Sequence, residues 1–134
     1  MSKRWYQENK RDPWRRDAKG KGYRARSAYK LKQIQEKFGI LRRGDSVLDI
    51  GCHPGGWTQV AVEEVGEGGS VIGVDLLATS PVEGAIVMVG DITDGGTIEE
   101  IVSHLGNRKL NAVISDISPR LTGRYDTDQA ISLE

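Results

Sequence analysis

Four short apolar runs recur along the chain from residue 46 onward, each rich in Val and Ile. They span residues 46–50, 70–75, 85–89 and 112–116. Each run carries few charges before its end, which is typical of parallel strands covered on both faces. Helical periodicity separates the first two runs at about 58–65 and the last two at about 97–105. This alternation predicts an α/β fold with an open parallel sheet and right-handed crossovers.

One further helix is predicted ahead of the first strand. Apolar residues recur there at steps of three and four, with a candidate N-cap before them and a candidate C′ glycine after them. These positions are Ala28, Leu31, Ile34 and Phe38, flanked by Ser27 and Gly39. Residues 1–24 contain no apolar period and many charges, so we expect an extended or flexible arm. The predicted organisation is an arm over 1–24 and one α/β domain from 25 to 134.

Charge divides the chain into two opposed parts, although the formal net charge is zero. Residues 1–43 hold fifteen Lys and Arg against four Asp and Glu, and residues 44–134 hold four against fifteen. Aromatic residues are interleaved with the cations at Trp5, Tyr6, Trp14, Tyr23 and Tyr29. Cations neutralise phosphates while aromatic faces stack on unpaired bases, so we expect residues 3–43 to bind RNA. A solvated, solubilising tail is the alternative.

A glycine-rich turn follows the first predicted strand, where Gly51, Gly55 and Gly56 stand in a Gly-x-x-x-Gly-Gly spacing. Bare backbone at the carboxyl end of a strand is typical of nucleotide-like ligands in α/β proteins. The spacing is neither the dinucleotide fingerprint nor a P-loop. It favours a nucleoside ligand without a pyrophosphate, with S-adenosylmethionine as the candidate. Purely structural glycines are the alternative.

Three predicted strands end in an acid, at Asp49 before the turn, at Asp75 and at Asp116, and Asp91 stands two residues beyond the third strand. Ligands of such sheets bind beyond the carboxyl ends of the strands, so we expect these side chains to line one crevice. A carboxylate after the second strand can accept bonds from ribose hydroxyls, and Asp91 could accept from an adenine amine. Each aspartate alone could instead be a helix cap or turn residue.

Cysteine and histidine are too few for a metal site or an intrachain disulfide. Cys52 is the only cysteine, and His53 and His104 are the only histidines. We expect Cys52 to fill space beside the turn and no metal to be bound. No apolar run approaches the ~20 residues of a membrane span, and no signal peptide is evident, so we expect a soluble, cytoplasmic protein without membrane contacts.

Five sequence blocks together resemble the FtsJ-type ribosomal RNA 2′-O-methyltransferases. They cover residues 26–31 (RSAYKL), 54–57 (PGGW), 73–77 (GVDLL), 90–91 (GD) and 115–119 (SDISP). The resemblance extends over about residues 24–134 and implies a Rossmann-like methyltransferase fold that uses S-adenosylmethionine. It also implies methyl transfer to a ribose 2′-hydroxyl, chiefly of a uridine in large-subunit ribosomal RNA.

The resemblance also implies roles for individual residues. Gly55 and Trp57 would frame the cofactor pocket, although Trp57 could equally be a packing residue. Asp75 would bind the ribose, Asp91 the adenine, and Asp116 would lie beside the methionine portion and the transferred methyl. Lys30 and Asp116 match the first two members of the family's catalytic Lys-Asp-Lys-Glu set. Because a carboxylate raises the pKa of a neighbouring lysine, Lys30 is better suited to orient the hydroxyl than to accept its proton.

The second lysine and the glutamate of that set have no counterpart before the last residue, Glu134. We therefore expect a C-terminally truncated form of the family domain, in which the fourth strand is an exposed edge and a possible surface for self-association. Three other functions stay open. They are a non-catalytic module that binds RNA and cofactor, a transfer RNA ribose methyltransferase, and a dinucleotide-binding Rossmann fragment.

Overall fold

The computed structural model describes residues 22–116. The predicted arm, except its last three residues, and the segment 117–134 lie outside the described residues. The elements follow in the order α1 (Ala28–Phe38), β1 (Ser46–Ile50), α2 (Gly56–Val65), β2 (Ser70–Asp75), β3 (Ile86–Val89), α3 (Gly95–Leu105) and β4 (Ala112–Ser115).

The four strands form one parallel sheet in the order β3-β2-β1-β4, which confirms the predicted α/β fold. Leu48 in the middle of β1 pairs with Ile72 of β2 on one side and with Val113 of β4 on the other. Because all four strands are parallel, the loops that follow them emerge at one edge of the sheet, on both sides of the central β1. We call this the carboxyl edge of the sheet.

Helices cover both faces of the sheet, as the apolar strands require. One buried cluster joins α1 and α2 to β1, β2 and β4, and it includes Leu31, Val47, Trp57, Val60 and Ile114. The second cluster lies on the opposite face under α3, and its buried members are Leu48, Ile72, Val74 and Ile101. The core is therefore divided by the sheet into two layers.

Element boundaries differ from the predicted ones by one or two residues. The third strand begins at Ile86 and the fourth ends at Ser115, while α2 and α3 begin two residues earlier than predicted, at Gly56 and Gly95. Glycine carries little helical propensity, so neither helix start is visible in the apolar pattern. The connection over 76–85, which the pattern left unassigned, contains no helix or strand.

Two expectations for the first helix were wrong in detail. Phe38 was expected on its buried face but is 65% exposed; it is the last residue of α1 and lines an open surface cavity with Ala112 and Val113 of β4. Ser27 precedes the helix but its side chain makes no capping hydrogen bond, and its backbone is already helical. Gly39 does end the helix with φ of 58°, as predicted, and its amide donates to the carbonyl of Gln35.

At the sheet edge, β4 pairs only with β1 among residues 22–116. Self-association through this edge therefore stays a prediction. Within the same residues, no helix is long and apolar enough to cross a membrane.

Alanine substitutions in α1 test the assignment of its buried face. Leu31→Ala removes a fully buried side chain, so we expect it to lower the free energy of unfolding by about 2–5 kcal/mol. Phe38→Ala is the matched control and should change that free energy by less than about 0.5 kcal/mol. Denaturant titration of the two variants measures both values. A Phe38→Ala cost as large as that of Leu31→Ala would contradict the assignment.

Candidate functional site

The glycine-rich turn between β1 and α2 is held directly against the end of β2. The amides of Gly51 and Cys52 both donate to the carbonyl of Val74, at 2.8 and 3.1 Å. Gly51 and Gly55 have positive φ values of 73° and 117°, a conformation that side chains with a Cβ rarely adopt. The turn thus brings bare backbone to the carboxyl edge, as the spacing predicted.

Asp75 ends β2 and organises the two loops on either side of it. Its Oδ2 accepts from the amide of His53 at 2.9 Å, and its Oδ1 accepts from the amide of Leu77 at 2.8 Å. The carboxylate is half-buried, and each oxygen retains a lone pair after these bonds. It is therefore fixed in orientation and able to accept from a hydroxyl of a ligand.

The two leucines that follow Asp75 are largely exposed to solvent. Leu76 is 70% exposed and Leu77 is 60% exposed. Exposed leucines are common singly, but an adjacent pair beside an oriented carboxylate forms a small apolar surface on the carboxyl edge. Such a surface suits a flat base whose sugar is held by Asp75. The pair belongs to the 73–77 block of the family resemblance, but no role was predicted for it, although two leucines directly after a strand-ending acid were a usable signal.

Asp91 lies close to Asp75 along the same edge. The amide of Gly90 donates to the backbone carbonyl of Asp75 at 2.9 Å. The Asp91 side chain is exposed, and its Oδ1 accepts from the amide and the hydroxyl of Thr93, at 2.9 and 2.7 Å. These two bonds lower the pKa of Asp91, and the bond from the Thr93 hydroxyl has the larger effect. Asp91 therefore shapes a local turn with Thr93, and its predicted contact with an adenine stays a prediction.

Asp49 is the buried acid of the site. It is 1% exposed, its Oδ2 accepts from the Thr58 hydroxyl at 2.7 Å, and its Oδ1 has no partner among the described residues. Burial, opposed by the Thr58 bond and assisted by the charges of Asp116 and Asp75, raises the pKa of Asp49 to about 7. Asp49, Asp75 and Asp116 are thus close enough to interact, which supports the predicted common crevice.

The start of α1 is anchored at the carboxyl edge by Trp57. The indole Nε1 donates to the carbonyl of Ser27 at 2.8 Å, and the ring is 4% exposed within the core. This burial supports the packing role for Trp57. Lys30 lies in the first turn of α1 and is exposed. Among residues 22–116 no ion pair joins Lys30 to Asp116, so their predicted catalytic pairing stays a prediction.

Cys52, His53 and Thr79 fill the space between the turn and the 76–85 connection. The Thr79 hydroxyl lies 3.4 Å from His53 Nδ1 and 3.9 Å from Cys52 Sγ. Burial raises the pKa of the Cys52 thiol to about 11, assisted by the charge of Asp49. Cys52 is therefore a protonated, packed thiol at neutral pH, consistent with the expected filler role. No group of three potential metal ligands occurs in the described part of the chain.

Two of the five aromatic residues proposed to contact RNA are described, and both take part in packing. The rings of Tyr23 and Tyr29 meet edge to face at 5.2 Å. The Tyr23 hydroxyl donates to Glu63 at 2.5 Å and accepts from Lys32 at 3.1 Å. Tyr23 therefore attaches the segment before α1 to α2, which weakens its case as a base-stacking residue. Trp5, Tyr6 and Trp14 lie outside the described residues.

Comparison with known proteins identifies the family to which this chain belongs. The family model of FtsJ-like methyltransferases matches residues 23–134. The chain belongs to the FtsJ-like methyltransferase family. The resemblance of its five sequence blocks is thereby confirmed, and so is the Rossmann-type fold.

Curated members of the family with high identity come from archaea. The ribosomal RNA large subunit methyltransferase E of Methanothrix thermoacetophila is 51% identical over 126 residues, which are 94% of this chain and 48% of that protein. The protein of the same name from Methanothermobacter thermautotrophicus is 44% identical over 136 residues, covering 100% of this chain and 64% of that protein. The FtsJ-like chain thus spans about half to two thirds of the length of these relatives.

A solved structure shows the same FtsJ-like fold. It is a crystal structure of a protein assigned as a ribosomal RNA methyltransferase from Plasmodium falciparum, 28% identical, with a TM-score of 0.65. The match covers 84% of this chain and 65% of that one.

The raised pKa of Asp49 predicts how stability depends on pH. The folded state holds a proton on Asp49 up to about pH 7, whereas the unfolded carboxyl releases it near 3.8. The folded state therefore binds more protons between these values. The contribution of Asp49 to the free energy of unfolding is thus most favourable at low pH and falls as pH rises to 7. The full contribution is on the order of 4 kcal/mol. Asp49→Asn keeps an acceptor for Thr58 and cannot ionise.

We expect Asp49→Asn to gain stability relative to the parent chain as pH rises from 4 to 8, measured by denaturant titration at each pH. Asp45→Asn is the control, since Asp45 lies at the opposite edge and accepts the Arg42 amide. Parallel curves for the parent and Asp49→Asn would show that Asp49 ionises normally in the folded protein.

Proposed function

We propose that the carboxyl edge binds S-adenosylmethionine and that the protein transfers its methyl group to a ribose 2′-hydroxyl of RNA. The observation that carries the proposal is the oriented Asp75 carboxylate between the glycine-rich turn and the exposed Leu76–Leu77 pair. The substrate best supported is large-subunit ribosomal RNA, because the relatives named above act on it. A uridine ribose as the acceptor, and a cytoplasmic location, are part of the same proposal.

The residues present fit this cofactor by their chemistry. Asp75 would accept from the ribose hydroxyls, Leu76 and Leu77 would contact the base, and Asp91 would accept from its exocyclic amine. Asp116 and the backbone at Gly55 would border the methionine portion. Acids surround this edge, so the local field favours a cationic ligand and opposes a pyrophosphate. This disfavours the dinucleotide-binding alternative.

The cofactor supplies a methyl group activated by its sulfonium, and the chain must align the acceptor. Positioning alone can contribute on the order of 7–11 kcal/mol in the best-oriented cases. We assign the orientation of the hydroxyl or its flanking phosphate to Lys30, whose exposed ammonium stands on the anchored first turn of α1. Asp116 would orient Lys30 once RNA is bound. In the transfer the ribose oxygen would bond to the methyl as the methyl–sulfur bond breaks, the sulfur would leave as a neutral thioether, and the hydroxyl proton would pass to a base other than Lys30 and Asp116.

RNA would reach this edge from the basic side of the chain. Six exposed cations within 3–43 lie in the described part of the chain, namely Arg24, Arg26, Lys30, Lys37, Arg42 and Arg43. Of these we assign Arg26 and Lys30, just before and in the first turn of α1, to the RNA at this edge, whereas Lys37 lies in the last turn. Neutralisation of phosphates by such residues makes binding fall steeply with salt.

A non-catalytic module that binds cofactor and RNA is the second candidate. It is favoured by the absence of a Lys30–Asp116 ion pair within residues 22–116. Transfer RNA is the rival substrate within enzymes. Both alternatives are separated by the methyl-transfer assay below.

Cofactor binding should depend on Asp75. Asp75→Ala removes a charged acceptor and releases the amides of His53 and Leu77, so we expect the dissociation constant for S-adenosylmethionine to rise about 10–100-fold. Asp45→Ala is the matched control, because it also removes a carboxylate that accepts a backbone amide, but at the opposite edge. Isothermal titration calorimetry measures both. Equal losses in the two variants, or none in either, would refute the ribose assignment.

Methyl transfer should depend on Lys30 without a matching loss of cofactor affinity. We expect Lys30→Ala to slow incorporation of labelled methyl into large ribosomal subunits by roughly 100-fold, since it removes a positioning contact. Lys37→Ala, on the last turn of the same helix, should leave the rate within about twofold.

The parent chain decides between the candidate functions in the same assay. Incorporation into transfer RNA but not into subunits would overturn the proposed substrate. Binding of cofactor and RNA with no incorporation into either would show the non-catalytic module.

A further inference from the structure

Arg24 makes a set of hydrogen bonds that joins three separate parts of the chain. Its Nη1 donates to the carbonyl of Pro54 at 3.2 Å and to that of Ser80 at 2.7 Å, and its Nη2 donates to the carbonyl of Pro81. Its backbone amide donates to Gln59 Oε1 at 2.8 Å, which fixes the residue against α2. One guanidinium therefore bridges the glycine-rich turn and the 76–85 connection.

These two loops are the walls of the site proposed above. Pro54 immediately precedes Gly55, and Ser80 and Pro81 continue the connection that begins after Asp75. Among residues 22–116, the other hydrogen bonds between these loops, besides those of Arg24 and of the His53 amide on Asp75, are those of Thr79, at 3.4 and 3.9 Å. Bonds of that length are weak, whereas hydrogen bonds from an ionised donor are about twice as strong as neutral ones.

Gly55 shows how closely Arg24 packs behind the turn. A Cβ at Gly55 would lie 3.0 Å from Arg24 Nη1 and 3.2 Å from the Val82 side chain. The turn is therefore held from behind by the guanidinium and by the connection together. Lysine cannot reproduce this arrangement, because a single ammonium replaces a planar fork with donors in fixed directions.

We propose that Arg24 is a positioning residue that sets the separation of the glycine-rich turn and the 76–85 connection, and thereby the affinity of the site for its nucleoside ligand. This inference rests on the proposed function for the identity of the ligand. The bridge that Arg24 makes between the two loops, which we call the Arg24 clamp, rests on its hydrogen bonds to Pro54, Ser80 and Pro81 alone. The residue acts through Pro54, Ser80 and Pro81 and has no assigned contact with the ligand.

The test compares Arg24→Ala and Arg24→Lys with Arg108→Ala. Arg108 is the matched control, since it is an exposed arginine whose Nη1 donates to a backbone carbonyl, that of Gly68, at 3.0 Å and away from the site. Three quantities are measured in each protein. They are the melting temperature, the hydrogen exchange of the His53 and Ala85 amides, and the dissociation constant for S-adenosylmethionine.

We expect both Arg24 variants to exchange the His53 and Ala85 amides at least about tenfold faster, while the β1 amides keep their protection. The dissociation constant should rise at least about tenfold, with a melting temperature close to that of Arg108→Ala. Lysine should restore little of either effect. Unchanged exchange, or faster exchange throughout the sheet, would overturn the clamp.

The outcomes separate this inference from the proposed function. If the parent chain binds no S-adenosylmethionine, the proposed function fails, and the exchange measurement still decides whether Arg24 clamps the loops. If the parent binds it and the Arg24 variants bind equally well despite faster loop exchange, the positioning role is refuted and the proposed function stands.

Discussion

The site depends on one interaction, the pair of amide hydrogen bonds from Gly51 and Cys52 to the carbonyl of Val74. These bonds continue the β1–β2 ladder for one step beyond the strands and turn the chain toward α2. They place the glycine-rich turn beside Asp75, whose carboxylate then accepts the amide of His53. Without this junction the two loops would leave the sheet independently, and no shared crevice would form between them.

Beside this junction lies a buried acid, Asp49. Burial of an ionised carboxyl is costly, and here the cost is reduced by protonation and by the Thr58 hydroxyl. Asp116 and Asp75 add like charges at the same edge, so the local potential is negative and favours a bound cation. The sulfonium of S-adenosylmethionine is such a cation, which connects the electrostatics of the fold to the proposed ligand.

Much of the fold could be predicted because the strands are apolar runs bounded by acids and glycines. The order of the elements, the parallel sheet and the position of the glycine-rich turn all followed from that pattern and were confirmed. The exposure of Phe38 could not be predicted, since helical periodicity gives the face of a residue but not how much of that face its neighbours cover. The helix starts at Gly56 and Gly95 were missed for lack of any propensity signal.

The acids of the site could be predicted from their positions at strand ends, whereas their individual roles could not. Asp91 and Asp75 look alike in sequence, yet one closes a local turn with Thr93 and the other spans two loops. Arg24 was counted only as one cation of a basic segment. Its contacts with Pro54, Ser80 and Pro81 join residues 30 and more positions apart, so no local pattern reveals them.

The central claim is that the carboxyl edge of this sheet is an S-adenosylmethionine site, and amide chemical-shift mapping tests it most directly. Titration of the ¹⁵N-labelled chain with S-adenosylmethionine should shift the amides of residues 51–57, 75–77 and 90–93. Residues 39–45 and 111 at the opposite edge should not move. Saturable shifts confined to the first group are the predicted result, and no shifts, or shifts centred on the opposite edge, would contradict the account.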